Sequence, residues 1–174
     1  MRISLSRTIV SVFGVLATAA AAAPPAPPDV PAALKAPAGQ AVHLEALATG
    51  VQIYECAQKP DATYEWAFKA PEAALADRAG KPLGKHYAGP TWESVDGSSV
   101  VGEVKAKDPG PKTGAIPWLL LAAKKNAGSG VFAETKSIQR VETSGGVAPS
   151  APCGAANLKE TARVPYTATY FFYK

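Results

Sequence analysis

Residues 163–173 read Arg-Val-Pro-Tyr-Thr-Ala-Thr-Tyr-Phe-Phe-Tyr, and this segment indicates the fold class. Side chains alternate between the two faces of a β-strand, and aromatic and β-branched residues favour strands. One face of this segment carries Val164, Tyr166, Ala168, Tyr170 and Phe172, and the other carries Thr167, Thr169, Phe171 and Tyr173. We therefore expect a strand along the whole segment.

Shorter runs of the same kind fill the chain from residue 42 onward, and turns rich in Gly and Pro separate them. Asp96-Gly97-Ser98 lies between residues 91–95 and 99–105 and predicts a hairpin, because Gly adopts a positive φ without strain. Residues 42–47 and 51–56 flank Gly50 and predict a hairpin or a bent strand. The pattern predicts an all-β domain, an antiparallel β-sandwich or barrel of about eight to ten short strands with little helix.

Four further segments carry local expectations. A strand over residues 64–68 is expected to end at Pro71, and residues 71–77 form either a short helical turn or a strand. Residues 116–123 are almost continuously apolar, which predicts the most buried strand. Residues 131–135 are expected to form another strand.

The N-terminus has the order of a secretory signal peptide: a cationic start, an apolar run and then small residues. We expect a signal peptide at residues 1–22, a Pro-rich spacer at 23–28 and a single β-rich domain at 29–174. An uncleaved anchor is the alternative. No later segment is long enough for a membrane span, so we expect an exported protein, periplasmic or extracellular.

The charge of the chain gives little support to a nucleic-acid partner. The formal net charge is +4, but without Arg2 and Arg7 of the leader 16 basic residues face 14 acidic ones. The remaining Lys and Arg residues are scattered among acidic residues and form no stripe of the kind that binds a phosphate backbone. We therefore expect no nucleic-acid binding.

The two cysteines, Cys56 and Cys153, predict one disulfide, because an even number of cysteines in an oxidising compartment favours pairing. Free thiols or a metal site are the alternatives. There is no Cys-x-x-Cys motif, and His43 and His86 lack the spacing of metal ligands. We expect neither a metal site nor a cofactor.

Residues 86–93, His-Tyr-Ala-Gly-Pro-Thr-Trp-Glu, together with Asp96 form the densest cluster of functional side-chain types. His86 could transfer protons with Glu93 or Asp96 as its carboxylate partner, and these three are the candidate catalytic residues. The structural alternative is that His86 satisfies a buried backbone group and that Asp96 serves only the turn.

The candidate ligand-binding residues are His86, Tyr87, Trp92 and Arg140. Arg140 lies in an apolar strand and could bind a carboxylate or phosphate through its planar fork. Its structural alternative is an ion pair with Glu93 or Glu103. Tyr87 and Trp92 could instead be core aromatics.

A second kind of site would use rings that stack on sugars. Its members would be Trp66, Trp92, Trp118, Tyr166, Tyr170 and Tyr173. Core packing is the alternative, because strand alternation buries one face of each sheet.

Several segments in this order resemble a known family. They are Tyr54-Glu-Cys56, residues 86–93 with Asp96-Gly-Ser98, Ile116-Pro-Trp-Leu-Leu-Leu121, Ile138-Gln-Arg140 with Thr143-Ser-Gly-Gly146, and the aromatic segment 166–173. The chain resembles the secreted bacterial and fungal family catalogued as domain of unknown function 3455. The resemblance implies no activity, because none is established for the family.

Three functions remain open. The first is a non-catalytic protein that binds a small ligand or a cell-envelope carbohydrate, favoured by the aromatic content and the lack of a catalytic motif. The second is a small extracytoplasmic enzyme, a hydrolase or isomerase, that uses His86 with Glu93 or Asp96. The third is a structural or stress-protective envelope protein. The sequence does not predict the oligomeric state.

Overall fold

The computed structural model of the protein describes residues 26–174. The expected signal peptide lies outside the described residues, as does the start of the expected spacer, residues 23–25. Within residues 26–174, no helix has the length and apolar character that a membrane crossing requires.

Eight strands and two single-turn 3-10 helices make up the fold. The strands are β1 (Val42–Gln58), β2 (Tyr64–Ala76), β3 (Pro82–Tyr87), β4 (Thr91–Ser94), β5 (Ser99–Asp108), β6 (Trp118–Ala127), β7 (Ser137–Gly145) and β8 (Thr161–Tyr173). The 3-10 helices are Ala32–Leu34 and Ala155–Asn157.

Each strand pairs antiparallel with the next along the chain, and β8 pairs with β1, so the sheet closes into a barrel. The all-β prediction is confirmed. Closure pairs the edges that an open sheet would expose. An eight-stranded barrel has an interior just wide enough for side chains or for one small ligand.

The alternation of β8 supplies two separate cores. Tyr166, Ala168, Tyr170 and Phe172 point into the barrel and pack with residues from β1, β2 and β4–β7. Phe171 and Tyr173 point outward and form a second cluster with Val141, Val30 and Leu34. β8 therefore links the barrel interior to an outer cluster.

The outer cluster is covered by the N-terminal segment 29–40, which we call the strap. Leu34 of the strap is fully buried against the outer cluster. Gln139 fixes the strap: its Nε2 donates to the Leu34 carbonyl oxygen at 2.6 Å, and its Oε1 accepts from the Tyr173 hydroxyl at 2.5 Å. The strap thus shields apolar side chains on the outside of β7 and β8 from water.

Two expected strand breaks are absent. β1 runs through Gly50 as one continuous strand, so the hairpin alternative is wrong. A Cβ at Gly50 would lie only 2.1 Å from the Glu72 carbonyl oxygen, so glycine here allows close approach of β2. β2 also continues through Pro71, because β3 pairs with β2 only from Ala73 onward and leaves that edge free. The strands are consequently longer than expected.

The expected strand at 131–135 is wrong, because these residues form turns. The backbone of residues 131 and 132 is bound by side chains of the β4–β5 turn. Asp96 Oδ2 accepts from Val131 N, and Ser98 Oγ accepts from Phe132 N. The hairpin predicted at Asp96-Gly97 is confirmed, with Gly97 at φ 83°.

The apolar sequence of residues 116–123 predicts the most buried strand, but β6 is less buried than β8. Of its residues only Leu121 is fully buried, whereas β8 is buried continuously from Ala168 to Tyr173. The difference arises because Leu119 borders a cavity and Leu120 lies at the edge of the outer cluster.

Candidate functional site

A cavity of about 320 Å³ opens at the side of the barrel where β3 and β4 are short. The opening lies between β2, the β3–β4 turn and β5. Among residues 26–174, the side chains that line the cavity include no aspartate or glutamate, and most of them are apolar or aromatic. The lining residues are Gln52, Tyr54, Phe68, Lys69, Pro71, His86, Gly89, Pro90, Trp92, Val104, Ile116, Pro117, Leu119, Leu121, Arg140 and Tyr170.

His86 lies in the wall of this cavity with only 2% of its surface exposed. Its Nδ1 lies 2.9 Å from the Thr91 carbonyl oxygen. Because a carbonyl only accepts, Nδ1 carries the proton and donates. The ring stacks on Trp92 with centroids 4.4 Å apart. Burial lowers the pKa of His86 to about 4, so the ring is neutral at pH 7 and Nε2 is an acceptor.

Arg140 brings a positive charge into the same cavity. Its Nε and Nη2 donate to the Pro117 carbonyl oxygen at 3.1 and 2.8 Å. Within the described part of the chain, no carboxylate forms an ion pair with it, so the expected pairing with Glu93 or Glu103 is not found. An arginine has five N–H donors, so most of its donors remain available.

Beside Arg140 lie buried polar groups that lack partners. Gln52 Nε2 and the hydroxyls of Tyr166 and Tyr170 are buried and form no close, well-aligned hydrogen bond among residues 26–174. Burial raises the pKa of Tyr170, and the positive charge of Arg140 and weak hydrogen bonds from Tyr166 and Arg140 oppose that rise. Unpartnered buried polar groups are rare and costly, which is typical of a place where a ligand or water binds.

A bulge in β7 positions this polar cluster. The register shifts between Val141 and Ser144, and Gly146 follows with φ 80°. A Cβ at Gly146 would lie 2.8 Å from Tyr166 Cβ and 3.0 Å from Gln52 Cγ. Glycine is therefore needed for both the backbone angle and the close packing of these side chains.

Glu93 and Tyr87 lie on the other face of the sheet from His86. In the β3–β4 pair His86 faces Trp92, while Glu93 faces Lys85. The Tyr87 hydroxyl donates to Glu93 Oε2 at 2.7 Å, and Lys85 Nζ lies 3.1 Å from Oε1. The structure therefore does not bring Glu93 or Tyr87 to the cavity.

Asp96 belongs to the hairpin turn. Its Oδ1 accepts from Ser98 Oγ at 2.6 Å and from Ser98 N at 2.8 Å, and its Oδ2 accepts from Val131 N. These hydrogen bonds, that from Ser98 Oγ first, lower the pKa of Asp96 to about 2. The structure gives His86 and Asp96 separate partners, so the structural alternative describes Asp96.

The six rings considered for sugar stacking do not form one surface. Trp92, Tyr166, Tyr170 and Tyr173 are buried. Trp66 Nε1 donates to the Ala151 carbonyl oxygen, and Trp118 packs against the outer cluster. Phe68 is the large aromatic ring most exposed in the described chain, at 56%, and it borders the cavity.

Cys56 and Cys153 form a disulfide with their Cα atoms 6.0 Å apart. It joins the end of β1 to the loop before Ala155–Asn157. Elsewhere in residues 26–174, no group of three or more His, Cys, Asp or Glu side chains is arranged to hold a metal ion.

Of the sequence candidates, the structure places His86, Trp92 and Arg140 together in the cavity. Sequence reasoning missed Gln52 as a site residue, because Val51 and Ile53 are its apolar neighbours and suggest the opposite face. Tyr166 and Tyr170 were considered only as stacking or core rings. On β7, Arg140 lies opposite Tyr170 and Gly145 lies opposite Tyr166, and these positions could be found only from the strand register.

Comparison with known proteins gives one match. The model of a family described as "Protein of unknown function (DUF3455)" matches residues 37–174, in agreement with the resemblance noted from the sequence. No curated protein and no solved structure matches the chain.

Proposed function

Since the chain belongs to the family of unknown function DUF3455, whose description names no activity, we propose a function from the cavity itself. The protein binds a small molecule, without catalysis, in the cavity at the open side of the barrel. The observation that carries this proposal is the set of polar groups directed into an otherwise apolar cavity: Arg140, Tyr170, Gln52 and His86.

The size and chemistry of the cavity support a small ligand. Small-molecule sites have volumes of about 300–1,000 Å³, with apolar walls and a few polar groups. At about 30 Å³ for each water-sized group, a volume of about 320 Å³ accommodates about ten such groups. A cavity of this size fits a small molecule better than the length of a carbohydrate polymer.

Binding is favoured over the enzymatic alternative by the partners of the charged groups. His86 donates to a backbone oxygen, and the carboxylates of Glu93 and Asp96 bind other groups. A His–carboxylate pair for proton transfer would require both members in the cavity. The leader sequence and the Cys56–Cys153 disulfide support export, so we place this binding in the periplasm or outside the cell.

The test is a screen of small fragments by amide chemical-shift mapping on the protein, with blocked and control variants. Val104 lines the cavity and is 49% exposed, whereas Val95 is 72% exposed and lies in the β4–β5 turn. Val104→Trp should block the opening, and Val95→Trp adds the same ring elsewhere. Both substitutions are at exposed positions, so both variants should fold.

We expect fragments to shift amides of β1, β6, β7 and the β3–β4 turn, and Val104→Trp to weaken binding at least tenfold while Val95→Trp does not. If no fragment binds, or if Val104→Trp leaves binding unchanged, the cavity is not the functional site.

A further inference from the structure

The charge balance of the cavity points to a particular class of ligand. Two of the lining residues, Lys69 and Arg140, are permanently charged, and both are cations. Lys69 Nζ is paired at 2.6 Å with Oε2 of Glu55, a carboxylate outside the cavity lining that Lys159 Nζ also approaches at 3.7 Å, so the charge of Lys69 is countered by a shared partner. Arg140 has no such partner among the described residues, which leaves one uncompensated positive charge against an apolar wall.

The positive charge of Arg140 affects the pKa values of other groups in the cavity. The charge of Arg140 acts to lower the pKa of Tyr54, although burial has the larger effect and raises it. The same charge adds to burial in lowering the pKa of His86. Several side chains therefore experience a positive potential in the cavity, and this potential favours an anion.

The available donors suit an anionic head group. The Arg140 guanidinium keeps N–H groups beyond those bound to Pro117, and among residues 26–174 the Tyr170 hydroxyl and Gln52 Nε2 form no close, well-aligned hydrogen bond. A planar guanidinium binds carboxylates through two parallel hydrogen bonds. The unpartnered donors and the positive charge therefore occur in the same place.

The remaining wall suits an apolar body. Trp92, Ile116, Leu119 and Leu121 line the cavity, and the exposed lining residues at its edge include Phe68 and Val104. A dianion would leave an excess negative charge in this apolar environment, which is costly. One uncompensated positive charge is matched by one negative charge.

We propose that the ligand is a small monocarboxylate with an apolar body, bound with its carboxylate against Arg140 and the Tyr170 hydroxyl. This inference rests on the proposed function, because it assigns a ligand class to the same cavity. It makes Arg140, Tyr170 and Gln52 the residues that determine specificity.

The test compares three probes by calorimetric titration at pH 7: phenylacetate, its neutral analogue 2-phenylacetamide, and inorganic phosphate. We expect phenylacetate to bind at least tenfold more tightly than either of the others. Equal binding of phenylacetate and the amide would overturn the carboxylate assignment but leave the cavity as a binding site. If phosphate binds as tightly as phenylacetate, the apolar body contributes nothing to affinity, and the assignment of an apolar monocarboxylate is overturned.

If none of the probes binds and the fragment screen also fails, the proposed function itself is contradicted. If fragments bind in the cavity but phenylacetate does not, only the ligand class is wrong. The two proposals can therefore fail separately.

Variants provide the second part of the test. Tyr170→Phe removes a hydroxyl that forms no close, well-aligned hydrogen bond among residues 26–174, so it should change the stability of the free protein little and still weaken phenylacetate binding about tenfold. Tyr173→Phe removes the hydroxyl bound to Gln139 under the strap, so it should lower stability without changing affinity. Arg140→Gln should abolish the preference for the anion. Unchanged phenylacetate affinity in folded Tyr170→Phe and Arg140→Gln would contradict the assignment.

Discussion

His86 satisfies a buried backbone group, as the structural alternative expected, and it also lies in the wall of the cavity. Its Nδ1–H satisfies the Thr91 carbonyl, and its ring also forms part of the cavity wall beside Trp92. The sequence identified His86 and Trp92 through the cluster of functional side-chain types at residues 86–93, and Arg140 because a charged side chain is unusual in an apolar strand. It could not place Glu93 on the opposite face, because that depends on the β3–β4 register.

At this residue scale, His86 makes the protein sensitive to acid. Its pKa falls from 6.5 to about 4 on folding, so the unfolded state binds more protons between these values. The contribution of neutral His86 to the free energy of unfolding is fully present above pH 6.5 and is lost as the pH falls toward 4, a change of about 3 kcal/mol.

The variant His86→Asn tests whether His86 causes this pH dependence of stability, because the Asn amide can still donate to the Thr91 carbonyl oxygen but does not titrate. We expect urea unfolding of the wild type to show a steeper loss of stability than the variant between pH 6.5 and 4. Identical pH dependence in both proteins would show that His86 does not titrate as described.

At the element scale, the strap shows what local pattern cannot predict. Residues 29–40 carry no strand periodicity, and their role follows from Leu34 packing on the outer faces of β5, β6, β7 and β8. By contrast, β8 could be predicted in detail, because its alternating rings specify a strand whichever elements pack against it. Strand ends at Gly50 and Pro71 were misjudged because close approach and a free edge replace the usual breaks.

Leu34→Ala measures the contribution of the strap. Leu34 is fully buried, so its truncation should lower the free energy of unfolding by about 2–5 kcal/mol. Leu158→Ala is the matched control, because Leu158 is exposed and should change stability by less than about 0.5 kcal/mol. Equal effects of the two substitutions in denaturant unfolding would mean that the strap does not stabilise the barrel.

At the scale of the whole molecule, the disulfide joins distant parts of the closed barrel. Cys56 and Cys153 are 97 residues apart in sequence, and cross-linking so long a loop is expected to stabilise the fold by about 4.7 kcal/mol through the unfolded chain. The Cys56→Ala/Cys153→Ala double variant should therefore unfold at markedly lower denaturant concentration. A midpoint equal to that of the oxidised wild type would contradict this stabilising role.

Barrel closure also explains why the cavity could not be found from sequence. Its wall combines residues from all eight strands and from the β3–β4 turn, and only the register of the strand pairs brings Gln52, Tyr170 and Arg140 together. The fold class follows from local alternation, whereas the site follows from long-range pairing.

The most direct measurement of the central claim is the ¹⁵N resonance of the Arg140 Nε–H group during titration with phenylacetate. Arg163, which is paired with Glu72 away from the cavity, provides the internal reference. The account predicts a saturable shift at Arg140 and no shift at Arg163. An unmoved Arg140 resonance at saturating phenylacetate, or equal movement of both arginines, would contradict it.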